Sequence, residues 1–155
     1  MKKLSILALA LAATTVLTEI GVAVAQSPTA SIEQRQAGMK MNGGAMKVLV
    51  PMARGEQPWN QGTAIQALDT LHKDGGAMAN LFPRGSGAEA GVKTAALPSI
   101  WEKPAEWQAA IKTFTDTSDN LLKLVRANDE AGFKAGFAAM GRACGGCHEP
   151  FRAKQ

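Results

Sequence analysis

The sequence predicts an all-α fold. Three observations lead there: apolar residues recur at offsets of three, four and seven, no period-two stretch competes with them, and no strand-helix alternation or internal repeat is visible. Four helical segments follow in order.

The first segment spans residues 31–54. Ser31 offers a side chain for the N-cap and Gln34, three residues later, completes a capping box. Ile32, Met39, Met46 and Leu49 set the inward stripe. Gly43 and Gly44 interrupt it at a cost of about 1 kcal/mol each against alanine, and Pro51 is expected to bend the last turn. Two readings of this glycine pair stand: close approach of the backbone to a ligand, or a locally weak helix.

After the turn at Gly55-Glu56-Gln57-Pro58, Asn60 caps a second helix bearing Ile65, Leu68 and Leu71. It is expected to fade near Gly75-Gly76 and to resume briefly through Leu81. Residues 82–99, rich in Gly, Ala, Pro and Ser, read as a long surface connection. Pro104 suits the first turn of a third helix carrying Trp107, Ile111, Phe114, Leu121, Leu122 and Val125. Asn128-Asp129 turns the chain into a fourth, whose apolar face holds Phe133, Phe137, Met140, Cys144, Cys147, His148 and Phe151.

That last face contains Cys144-Gly145-Gly146-Cys147-His148, the Cys-x-x-Cys-His signature of c-type haem attachment. Each thiol adds to one vinyl group of the porphyrin, and the adjoining imidazole reaches the iron as proximal ligand. Helical spacing puts Cys144, Cys147 and His148 on one face. A structural zinc site wants four ligands, and the chain has only these two cysteines and one further histidine, His72. A thioredoxin-like pair belongs beside a βαβ pattern, and a disulfide leaves the histidine unexplained. One covalent haem c per chain is therefore expected. With five Phe, three Trp and no Tyr, the core depends on aliphatic residues and on the cofactor itself.

Residues 1–25 read as a secretory signal peptide: Lys2 and Lys3, a mostly apolar run from Leu4 to Leu17, and Ala23-Val24-Ala25 before cleavage. The run is short for a membrane span and Glu19 closes it, so no membrane association is expected after cleavage. Residues 26–155 suit one domain. Without Lys2, Lys3 and Glu19 the chain keeps 15 basic and 12 acidic residues, a net +3 that two propionates lower to about +1. No basic run points to nucleic acid.

Arg35-Gln36-Ala37-Gly38-Met39-Lys40, Pro51 with Arg54-Gly55-Glu56-Gln57-Pro58-Trp59, Leu81-Phe82-Pro83, and the C-terminal signature followed by Phe151-Arg152 together resemble the cytochrome c′ family, the class II cytochromes c. The resemblance implies an antiparallel up-down-up-down four-helix bundle. It implies Cys144 and Cys147 as attachment points, His148 as proximal ligand, and Met39 on the distal side of the iron. Arg152 would lie beside the proximal face and Arg35 near a propionate, although Pro150 lacks an amide hydrogen and should bend the helix just before Arg152. The family's export implies the periplasm, and its members often dimerise through the first two helices, for which Met41, Met52 and Ile65 are candidate contacts.

The family includes low-spin members with a methionine sixth ligand and high-spin members that bind nitric oxide, so two functions stay open. With Met39 on iron, the chain carries single electrons between redox partner proteins. With Met39 only packing, it binds nitric oxide or carbon monoxide as a sensor or sink; methionines at helical spacing are commonly core filler. No distal acid-base pair suggests an enzyme. His72 beside Lys73 and Asp74 reads as solvated, and Met140, about two turns before His148, should flank the haem edge.

Overall fold

The computed structural model describes residues 27–154; the expected signal peptide lies outside them. Six helices follow in order: α1 (Pro28–Ala53), α2 (Gln61–Met78), α3 (Ser99–Glu102), α4 (Pro104–Arg126), α5 (Glu130–Gly136) and α6 (Ala138–Phe151). Four lengths of helix, with α5 and α6 forming the fourth, make a four-helix bundle. Among the described residues the only extended pairing is an isolated bridge between Ala96 and Arg152.

α1 starts earlier than the expected Ser31. Ser27 is the N-cap, its side chain accepting from the Ala30 amide, and Pro28 stands at the first helical position, where its missing N–H costs nothing. Ser31 is instead fully buried in the first turn. Pro51 sits within the final turn, and the helix closes on a Schellman motif: Glu56 N–H donates to the Pro51 carbonyl and Gly55 N–H to that of Met52. Gly55 supplies the required left-handed conformation at φ 73°.

Asn60 caps α2 as expected, accepting from the Thr63 amide, but the helix runs through Gly75-Gly76 to Met78 without fading. Gly75 faces the Phe114 ring of α4, and that packing holds the turn together. Pro104 opens α4, whose Trp107, Leu121, Leu122 and Val125 are buried. Asn128 turns with φ 55°, and Asp129 caps α5 by accepting from the Gly132 amide. The fourth helix breaks once, at Phe137, before α6 carries the cysteines.

α1 packs along α2, α2 along α4, and α4 along α6, while α5 closes back on α1. Two apolar clusters result. One holds Leu49, Leu68, Leu71, Leu122, Val125, Phe133 and Met140; the other holds Met78, Ile100, Trp107 and Phe151. Met140, expected to flank the haem edge, is fully buried in the first cluster and does not line the cavity described below. Of the candidate dimer contacts, Met41 is exposed and Ile65 half-buried, whereas Met52 is core, since it continues the buried stripe of α1.

The segment 82–99 is a strap folded into the bundle, where a surface connection was expected. It contains a short 3₁₀ turn at Ala88–Ala90 and buries Ser86 completely. Its end is stapled to the end of α6: Leu97 N–H donates to the Phe151 carbonyl, Ala153 N–H to that of Ala95, and the Ser99 hydroxyl to that of Pro150. Pro150 falls in the last turn, where the helix is ending, so no visible break precedes it. No described helix is long and apolar enough to cross a membrane.

Candidate functional site

Residues of α1, α2, α4, α6 and the strap line a cavity of about 960 Å³. That is at the upper end of the range for ligand and cofactor pockets, about 300–1,000 Å³. Cys144, Cys147 and His148 line it from α6, and Met39, Asn42, Gly43 and Met46 line it from α1. Phe82 and the strap residues 93–96 complete the wall, with Arg152 at the chain end.

Burial governs the chemistry of the α6 wall. It raises the Cys144 thiol above its ordinary value and pushes Cys147 up to about 11, with nearby Cys144 adding to the effect on Cys147. Both sulfurs are thus protonated and uncharged at neutral pH, and they are not bonded to each other. Burial, and then the Arg152 cation, lower the His148 imidazole, which keeps it neutral and its lone pair available. Two neutral thiols beside a neutral imidazole, opening on an apolar space, fit a covalently attached porphyrin. Among the described residues no cluster of three or more His, Cys, Asp or Glu competes as a metal site.

The α1 wall differs from its expected pattern. The buried stripe runs through Ile32, Arg35, Gly38, Asn42, Ala45, Leu49 and Met52, so the seven-residue series of Met39 and Met46 lies on the flank of that stripe. Met39 is 39% exposed because it faces the cavity. Gly43 lines the same wall with open space where a side chain would stand; Gly44 lies outside it and fits the weak-helix reading. His72 lies outside the cavity wall, and where a solvated histidine was expected it is half-buried with its Nδ1 enclosed.

Arg35 is 4% exposed. Its Nη1 donates to the Leu81 carbonyl and the Ser86 hydroxyl, its Nη2 to the Ser86 carbonyl and the Thr94 hydroxyl, and the guanidinium lies 4.4 Å from the Phe82 ring centroid. Four charge-assisted bonds and a cation–π contact make it the anchor of the strap. Beneath the cavity, Asn42 Nδ2 donates to Asp74 of α2 at 2.5 Å. Burial raises the Asp74 carboxyl above its ordinary value, an effect that the Asn42 bond partly offsets. Sequence reasoning missed Asn42, Asp74, Ser86 and Thr94; polar residues falling on the stripe of α1 were the available signal.

Comparison with known proteins agrees with this site. The family model described as Cytochrome C′ matches residues 30–152. Cytochrome c-556 of Agrobacterium tumefaciens (strain B2A) is 35% identical over 80% of this chain and 98% of its own, and cytochrome c′ of Rhodopseudomonas palustris is 34% identical over 87% and 88%. The solved cytochrome c′ of Rubrivivax gelatinosus superposes with a TM-score of 0.76 at 27% identity, covering 83% of this chain and 98% of that one. A match that reaches from the first turn of α1 to the end of α6 means that the chain belongs to the cytochrome c′ family and is a haem c protein.

Proposed function

We propose that the protein is a periplasmic carrier of single electrons between redox partner proteins, with no catalytic role of its own. Cys144 and Cys147 hold the haem through thioether bonds, His148 is its proximal ligand, and Met39 is its distal ligand. The observation that supports this most is that Met39 of α1 and His148 of α6 line one cavity, with both cysteines on the same helix as the histidine. A haem held by histidine and methionine would supply one-electron ferric–ferrous chemistry at a raised potential. Ile100, Trp107, Phe114 and Phe151 give the cavity apolar walls. Arg152, whose cation acts on His148, would lie beside the proximal face.

Residues 1–25 act as the export signal, and residues 26–155 form the haem domain. Exposed Met41 on α1 suits a homodimer.

A second reading leaves Met39 packed over an open iron site that takes nitric oxide or carbon monoxide. It is favoured by the cytochrome c prime of Alcaligenes xylosoxidans, which shares the fold and of which one variant has been solved with nitric oxide bound and another with carbon monoxide. Absorption spectra of the oxidised and reduced protein separate the two readings. Low-spin bands in both states, unchanged by carbon monoxide, are expected of the carrier; high-spin bands that shift with carbon monoxide indicate the gas-binding form.

A further inference from the structure

Asp74 is the one buried carboxylate among the described residues, and neither haem attachment nor iron ligation uses it. It is 8% exposed and enters no ion pair among those residues, whereas Asp69, Asp116, Asp119 and Glu130 each face a cation. Its hydrogen bond comes from Asn42 Nδ2, a neutral donor. A buried carboxylate without counter-charge is unfavourable when ionised, and its proton affinity rises in answer.

The fold sets this group directly behind the cavity wall. Asn42, which binds it, and Gly75, which follows it on α2, both line the cavity. On the α1 side it rests against Gly38, where a β-carbon would overlap Oδ1.

Burial and the Asn42 bond are what act on its titration. On α1, Arg35 shares the stripe of Gly38 and Asn42, but its guanidinium donates to strap oxygens of Leu81, Ser86 and Thr94, and the charge acting on it is Glu89. Lys40 of the same helix is exposed at the cavity. α4 presents Phe114 and Thr115 beside Gly75, while its charged pairs, Lys112 with Asp116 and Lys123 with Asp119, stand at the surface. On α2 itself Lys73 pairs with Asp69, and His72 acts on Asp119.

Each electron accepted in the cavity adds one unit of negative charge beside this carboxylate, and a nearby like charge favours its neutral form. We propose that Asp74 is a proton-accepting site coupled to the haem electron: its carboxylate takes up a proton when the haem is reduced and gives it back on oxidation. The proposal rests on the haem reading above and holds whether Met39 binds iron or packs over it. The electron comes from a redox partner protein and the proton from solvent. One O–H bond forms on Asp74, no bond of the chain breaks, and reoxidation reverses both transfers.

The test pairs the reduction potential of the holoprotein across pH with an infrared difference spectrum, reduced minus oxidised, of protein carrying ¹³C at its aspartate carboxyls. Between the titration of Asp74 in the oxidised state and its higher titration in the reduced state, the wild-type potential should fall as pH rises, approaching one proton per electron. Asp74→Asn should lose that segment of the fall, matching the wild type in acid and lying above it at neutral pH. Asn42→Leu, which removes the bond that lowers the carboxyl, should carry the segment to higher pH. Asp116→Asn, an exposed change, should leave it in place. On reduction the spectrum should gain the C=O band of a protonated aspartate, displaced by the label and absent from Asp74→Asn. A wild-type spectrum without that band at any pH between about 4 and 8 overturns the proposal even where a variant fails to load, and so does a fall that Asp74→Asn keeps in full. A mature mass equal to the bare polypeptide overturns the haem reading and the proposal with it.

Discussion

The carboxylate of Asp74 lies directly against the backbone of Gly38: a β-carbon at position 38 would stand 2.9 Å from Asp74 Cγ and overlap its Oδ1. Gly38 precedes Met39, so the helix that bears the distal wall is seated on α2 through this contact. Gly38→Ala should force the helices apart or displace Asp74 from Asn42, destabilising the fold by about 1–3 kcal/mol as an overpacked core does. Denaturant titration of the wild type and variant checks it.

Asp74 also gives stability a pH dependence. Its folded carboxyl titrates above the ordinary 3.8 because burial disfavours the charge. The folded state therefore binds a proton more readily than the unfolded chain, and stability contributed by this group falls as pH rises from about 3.8 through the folded value. Asp74→Asn removes the charge at nearly constant shape. Its stability relative to wild type should rise from acid toward neutral pH, as read by denaturant midpoints between pH 3.5 and 7; a difference independent of pH would contradict this.

Arg35 fastens the strap to α1. Arg35→Met keeps much of the volume but leaves the Ser86 and Leu81 carbonyls without their donor. Each lost bond to the charged group is worth about 1.5–3 kcal/mol, so the variant should lose several kcal/mol in total. Hydrogen exchange should localise the effect to residues 81–96, with α4 protected as before.

Cys144 and Cys147 should act redundantly in retention and jointly in stability. Cys144→Ala or Cys147→Ala alone leaves one thioether, and acid extraction should still find haem on the chain. Removing both should release it, and with it the fold should soften, because a cavity of about 960 Å³ would lose the group that fills it. Thermal unfolding and intact mass of the three variants check both statements.

The bundle and the attachment site were legible because their signals are local. Cys144, Cys147 and His148 announce their chemistry by spacing alone, and Asn60, Pro104 and Asp129 mark helix starts through the orphan amides that every helix must satisfy. What stayed hidden depends on partners far along the chain. The strap reads as loop by composition, and distant partners such as Arg35, 51 residues before Ser86, and the end of α6 turn it into a wall of the site. Met39 and Met46 resemble a core stripe since seven residues nearly complete two turns, yet their flank opens on a cavity that periodicity cannot distinguish from a core. Ser31 drew the helix start from Ser27 because both are capping residues, and Pro28 decides between them.

The central claim is that Met39 of α1 and His148 of α6 hold one iron between them, and the absorption spectrum of Met39→Leu tests it most directly. Leucine nearly conserves the volume, so the fold should change by less than about 1.5 kcal/mol. The account predicts a low-spin wild type with a thioether-to-iron charge-transfer band when oxidised, and a Met39→Leu protein that is high-spin, lacks the band, has a lower reduction potential and binds carbon monoxide. A wild type already high-spin, with Met39→Leu changing neither spectrum nor potential, would contradict it.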